Sequence, residues 1–330
     1  MKQIGHISVL VLLVAFLSIS PISCGGGGGG DGEEAPTMTL EEAPTMTLNE
    51  ENVNDFVTFV RETIPGCDSK SSVTPTKSVV DSVAAATKEL DARLELFPVL
   101  GSVRAAVGQV ETEQTGTCGG TLVVNVSADD VTGVFSGNLD LNDFCQNIDK
   151  ATSVYDGSVT FSGKTDVGTD ELAELSASSD GITVTVDKGG EKESFTVGFD
   201  ITMSISGSIT TISAPRLSFK DGTDKPYMVQ NLTITVTEAG RTSQVEFSGR
   251  HIDPDEGSVD FRTLEPLTVS DDGKVLSGRI EFAGAGDTRV VITISEDNVF
   301  QVDADTNGDN NLNYTADILD CSEFDMDLDL

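Results

Sequence analysis

From about Thr121 onward, apolar and polar residues alternate with a period of two. Ile182, Val184 and Val186 alternate with Thr183 and Thr185, and Leu232, Ile234 and Val236 with Thr233, Thr235 and Thr237. Val290, Ile292 and Ile294 repeat the pattern against Arg289, Val291 and Thr293. Successive side chains of a strand point to opposite faces, so each stretch predicts a strand with one buried face. Asp156-Gly157, Gly189-Gly190, Asp221-Gly222 and Asp272-Gly273 punctuate the alternation at short intervals and predict hairpins in series. A loose motif recurs at Phe135-Ser136-Gly137, Phe161-Ser162-Gly163, Phe247-Ser248-Gly249 and Phe282-Ala283-Gly284. Its unequal intervals fit strand ends in a meander rather than a solenoid.

Upstream the period is helical. Thr47-Leu48-Asn49-Glu50 has the form of a capping box, and Val53, Phe56, Val57, Val60 and Ile64 come after it on one stripe before Pro65-Gly66. A second stripe runs through Val79, Val83, Ala86, Leu90, Leu94 and Phe97, and Pro98 stops it. Both predicted helices are amphipathic and need a surface to cover.

The expected fold class is therefore α+β and mainly β: a large antiparallel meander, curved as a half-barrel or folded as a sandwich, with two N-terminal helices packed on it. The expected divisions are a signal peptide over 1–23, a tether over 24–46, a helical region over 47–110 and a β domain with an acidic tail over 111–330. An outer-membrane barrel would carry aromatic girdles. With no Trp and three Tyr, this chain is poorly supplied for them.

The N-terminus changes the picture from fold to address. Met1 and Lys2 precede an apolar run from Ile7 to Ile19 that is broken only by Ser8 and Ser18, the layout of a secretory signal and too short to span a bilayer comfortably. The run ends in Pro21-Ile22-Ser23-Cys24 and six glycines, Gly25 to Gly30, which resembles a lipoprotein signal with Cys24 as the acylated residue. Pro21 stands where the lipoprotein pattern prefers Leu. The tether then repeats itself, Glu33 to Leu40 recurring residue for residue as Glu41 to Leu48. Gly-rich and acidic, it has too little apolar matter for a core.

Twenty Lys and Arg stand against 55 Asp and Glu, a net charge of −35. That balance argues against nucleic acid, whose phosphates are bound through Lys and Arg, and against adhesion to an anionic membrane surface through basic patches. Apart from Cys24, the cysteines are Cys67, Cys118, Cys145 and Cys321. An even number in an oxidising compartment predicts two disulfides, in any of three connectivities. Cys118 with Cys145 is favoured because the two bracket a predicted hairpin, which leaves Cys67 for Cys321.

Candidate chemistry is sparse. Asp303, Asp305, Asn307 and Asp309, with Gly308, satisfy the first half of the calcium-loop pattern, alternating oxygen side chains around a glycine. Position twelve is Tyr314 rather than a bidentate Glu, so Ca²⁺ is set against an empty acidic hairpin tip. Once the signal leaves with His6, His251 is the only histidine, which excludes a zinc site built on several histidines. Gly116-Thr117-Cys118-Gly119-Gly120 has the form of a nucleophile elbow, but no helix signal comes after it. Gly163-Lys164-Thr165 lacks a glycine at the spacing a phosphate loop requires.

At Ser248-Gly249-Arg250, Asp253-Pro254, Gly257, Val259, Thr263 and Glu265-Pro266-Leu267, followed by the Asp303–Asp309 loop, the chain resembles a group of exported proteins of Gram-negative bacteria. The resemblance covers about residues 118 to 313 and implies a Cys-polyGly lipoprotein with a β-rich body and no activity to carry over. Gly25 directly after Cys24 resembles an outer-membrane sorting signal. The expected function is that of a membrane-anchored, non-catalytic structural or binding protein, at the periplasmic face or the cell surface, with an unknown protein as partner. The alternative is a carrier that holds a lipid or other apolar ligand between sheet and helices.

Overall fold

The computed structural model describes residues 44–49 and 108–320, except 149–150, 170, 221–225, 254–256, 272–274 and 296–298. Fourteen strands account for nearly all of them. The first eight are β1 (Gly108–Thr115), β2 (Gly119–Ala128), β3 (Val134–Ile148), β4 (Ala151–Thr165), β5 (Leu172–Lys188), β6 (Glu191–Ser206), β7 (Ile209–Lys220) and β8 (Tyr227–Ala239). They are followed by β9 (Thr242–Asp253), β10 (Gly257–Ser270), β11 (Val275–Ala283), β12 (Arg289–Ser295), β13 (Val299–Asp305) and β14 (Tyr314–Asp320). The order in the sheet is the order in the sequence, the antiparallel meander that the alternating pattern predicts. By its contacts the chain divides into two compact units, one within Leu90–Thr237 and the other joining Glu238–Leu330 to the N-terminal segment.

The α+β class is not what the structure shows. Among the described residues the only helical turn is the three-residue 3-10 turn Ala285–Asp287. The start of the first predicted helix is extended instead. Thr45 forms a parallel bridge with Ser258, and the Leu48 N–H donates to Thr288 Oγ1 at 3.1 Å. Leu48 has no exposed surface, and sealing a leucine in this way contributes about 1.5–3 kcal/mol. The capping-box reading fails because the sheet takes up these backbone groups and the leucine side chain before a helix could. The remainder of both predicted helices lies outside the described residues. Pro44–Met46, the last residues counted with the tether, are likewise bonded to β10.

In the first unit one core cluster joins Leu122, Val124, Val126, Leu141 and Phe144, with Leu139, Tyr155, Phe161 and Ile182 packed against it, and β7 and β8 bury Ile212, Ala214, Leu232, Ile234 and Val236. Phe-Ser-Gly has a structural meaning here. Antiparallel pairing sets Phe135 opposite Gly163 and Gly137 opposite Phe161, so each motif's ring lies over the other's glycine. A Cβ on Gly137 would stand 2.6 Å from the Phe161 ring. The same apolar face continues over β4 to β6 through Ala177, Leu175, Ile201 and Met203, where it is half-buried rather than sealed.

In the second unit the core face carries Val245 and Phe247 of β9, Phe261 of β10, Ile280 and Phe282 of β11, and Val290, Ile292, Val302 and Ala304 of β12 and β13. Phe247, Phe261 and Phe282 form a row across three strands, with centroids 6.1 and 6.4 Å apart. The opposite face pairs charges across strands. Arg250 holds Asp260 bidentately at 2.7 and 2.9 Å, Arg262 lies 2.7 Å from Glu281, and Arg279 lies 3.2 Å from Glu265.

Gly137→Ala is expected to destabilise the protein by about 1–3 kcal/mol, because the packed Phe161 ring and the β2 backbone cannot both retreat. Urea denaturation measures the loss.

Candidate functional site

The acidic loop at the end of β13 carries the strongest chemical signal in the sequence. Asp303 and Asp305 lie on the face opposite the apolar one, paired with Val291 and Arg289 of β12. Asp305 has no exposed surface, and its carboxylate closes the loop beyond the strand. One oxygen accepts the N–H groups of Gly308 at 2.8 Å and Asn307 at 3.3 Å, and the other accepts that of Asn310 at 2.6 Å. Burial pushes the Asp305 carboxyl upward, but the amides of Gly308, Asn310, Asn307 and Asp309 outweigh it and hold the group below the usual carboxylate range. Arg289 secures the loop from the other side, donating to the Asn310 carbonyl at 2.9 Å while lying 3.8 Å from Glu281.

The remaining oxygens expected around Ca²⁺ are turned to similar work. Asp303 accepts from Thr315 Oγ1 at 2.7 Å and from Gln301 at 2.8 Å. Asp309 accepts the Asn311 N–H at 2.8 Å, and Asn307 Oδ1 accepts that of Asp309 at 3.2 Å. Among the described residues no three His, Cys, Asp or Glu side chains are grouped to hold a metal ion.

His251 lies on the apolar face of β9, on the side of Phe247 and opposite Val259. It is 4% exposed, and its Nδ1 has no hydrogen-bond partner. Removal from water disfavours the imidazolium and pushes the pKa down to about 4. The ring is thus a neutral core side chain at ordinary pH. Ser258, one position along from Val259, also buries its hydroxyl without a partner.

Cys118 and Cys145 are joined, as the hairpin argument favoured. Cys118 sits in the tight turn between β1 and β2, its N–H donating to the Cys145 carbonyl at 3.3 Å, so the elbow-like glycines serve a disulfide-bonded turn. Cys24, Cys67 and Cys321 lie outside the described residues. Lys164 and Thr165 stand at the end of β4 in ladder positions, facing Glu174 and Leu172 of β5.

A groove in the first unit has no counterpart among the sequence motifs. The ladders of β3 with β4, β4 with β5 and β5 with β6 each skip register, between Leu141 and Phe144, Gly157 and Thr160, and Ser179 and Ile182. These bulges line up across adjacent strands and open a polar groove of about 440 Å³ whose walls include Asp140, Asn142, Asp156, Ser158, Ser178 and Asp180. Ser179 stitches it by donating to the Ser158 carbonyl at 2.6 Å, and Arg216 lies 3.5 Å from Asp180. Asp156-Gly157, which the sequence marks as a hairpin turn, lies inside β4, beside the points where the extra residues of β3 and β5 break the register. The glycine was the usable signal, because inside a strand it marks a break in the ladder or a close approach, and here Gly157 takes φ of 138° against the Gly181 carbonyl.

No family model, no curated protein and no solved structure is similar enough to match the chain.

The buried groups set two expected outcomes. The His251 pKa is lower folded than unfolded, so its contribution is complete above about pH 6.5 and is lost as pH falls toward 4. Between pH 8 and pH 5 that loss comes to about 2 kcal/mol, and His251→Leu, compared by denaturant titration at both values, should remove it. Asp305 has a depressed pKa, so its support is present above the unfolded value and disappears only as pH falls through the still lower folded one. At neutral pH, Asp305→Asn should speed hydrogen exchange at the Gly308 and Asn310 amides.

Proposed function

We propose that this chain is a membrane-anchored exported lipoprotein whose role is structural or binding rather than catalytic. The observation that supports the non-catalytic reading is that three side chains the sequence singles out for chemistry are committed to the fold. His251 is sealed in the apolar face, Cys118 is spent on a disulfide and Asp305 on loop amides. The anchoring half rests on Cys24 in its signal context and on the glycine tract behind it. A disulfide between Cys118 and Cys145 suits an oxidising compartment, and the abundance of Asp and Glu suits an exposed, soluble body.

A carrier of a lipid or other apolar ligand is the second reading. The half-buried apolar row over β4 to β6, with Leu175, Ile201 and Met203, is the observation that favours it. The polar groove beside it has the opposite character and suits no acyl chain. Native mass spectrometry of protein purified from membranes separates the readings, because lipidation, disulfides, bound Ca²⁺ and a retained apolar ligand each add or remove a distinct mass.

Cys24→Ala is the direct test of the anchor. The variant is expected to leave the membrane fraction for the soluble one, with its thermal melting unchanged. Retention of Cys24→Ala in the membrane fraction would overturn the anchor.

A further inference from the structure

The segment that docks on β10 is the second copy of the tandem repeat. Its seat is made by Gly257 and Ser258 at the start of β10 and by Gly284, Ala285 and Thr288 around the 3-10 turn. The Ser258 N–H donates to the Pro44 carbonyl at 2.8 Å, and the Met46 N–H returns to the Ser258 carbonyl at 2.8 Å. The Ala285 N–H donates to the Met46 carbonyl at 2.7 Å, and Thr288 Oγ1 accepts the Leu48 N–H. Two glycines leave the room this requires: a Cβ on Gly284 would stand 2.6 Å from the Met46 carbonyl and 2.8 Å from Leu48 Cγ, and one on Gly257 would strike the Pro44 carbonyl. Leu48 is the one side chain fully enclosed. Met46 is half-buried, and Pro44, Thr45 and Thr47 face outward.

The seat therefore reads an extended backbone at alternate residues and a leucine at the fifth position. This is a small parallel strand addition. Pro36-Thr37-Met38-Thr39-Leu40 offers the same five residues as Pro44-Thr45-Met46-Thr47-Leu48, and both are preceded by Glu-Glu-Ala. Every residue named in these contacts has an identical counterpart eight positions earlier, and the two copies differ in what flanks them, Asp31-Gly32 and Glu41 for the first against Thr39-Leu40 and Asn49 for the second. We propose that the seat is a recognition site for the peptide Pro-Thr-Met-Thr-Leu and that Pro36–Leu40 is its alternative occupant within the same chain. Exchange shifts the register by eight residues and supplies the same residue to each of the contacts named above. On the anchoring reading, which the exchange itself does not need, it shortens the lead from Cys24 from 20 residues to 12. The reach then falls from roughly 25 Å to roughly 19 Å.

The test uses full-length protein in four forms: unaltered, Leu40→Asp, Leu48→Asp and the double variant. Hydrogen exchange read by mass spectrometry should show residues 44–48 protected in the first two and protection transferred to 36–40 in Leu48→Asp. Thermal melting should change little in either single variant and fall by roughly 5 to 10 °C in the double. Synthetic Glu-Glu-Ala-Pro-Thr-Met-Thr-Leu added to the double variant should recover part of that loss. The proposal is overturned if Leu48→Asp melts as low as the double variant while 36–40 stays unprotected. It is also overturned if protection of 36–40 rises with protein concentration, since the occupant would then come from a second chain. Should Leu48→Asp not fold, Leu48→Ala repeats the exchange measurement with a milder defect.

Discussion

Backbone hydrogen bonding between neighbours in sequence is the constraint on which the rest depends. In a meander each strand finds its partner through the turn that joins them, so the closing of the turns decides whether the ladder forms. Short acidic side chains do much of this closing. Asp129 accepts the amides of Val131 and Thr132, Asp166 those of Gly168 and Thr169, Asp187 that of Gly190, and Asp305 three in its own loop. Part of the acidity that looks like a property of the surface is thus a property of the turns.

With the ladder in place, the two faces of the second unit divide the labour. The apolar face sets tilted phenylalanine rings side by side across β9 to β11 and tolerates His251 only as a neutral ring. The other face sets Arg against Asp or Glu across strands, and Glu281 faces both Arg262 and Arg289. The exposed pairs, Arg250 with Asp260 and Arg279 with Glu265, add little stability each, on the order of 0–1 kcal/mol. Their effect is on register, because a slip of one residue would carry the arginines of β9 to β11 into the phenylalanine row.

The strands were legible because period-two alternation depends only on one face being buried, and Ile182–Val186, Leu232–Val236 and Val290–Ile294 all fall within strands. Gly189-Gly190 is a turn and Asp156-Gly157 is not, though the two signals look alike in sequence. What separates them is whether the strand goes on pairing with its neighbours beyond the dipeptide, which is a tertiary fact. Thr47-Leu48-Asn49-Glu50 misled for a related reason: local capping chemistry is worth about 1 kcal/mol, and a buried leucine with bonds to a sheet exceeds it. The acidic loop showed its oxygen spacing in sequence, but not that the same spacing lets Asp305 bind its own backbone.

The Leu48 N–H bonds to a hydroxyl 240 residues further along. Among strands that otherwise join their immediate neighbours, such a contact imposes an order in time. A ribosome delivers residue 48 early and residue 288 late, so hairpins can form and pack as they appear while this short segment waits. The part of the described protein made first is then among the last to settle. Its seating reports that the strands on either side of the seat, β10 and β11, are complete.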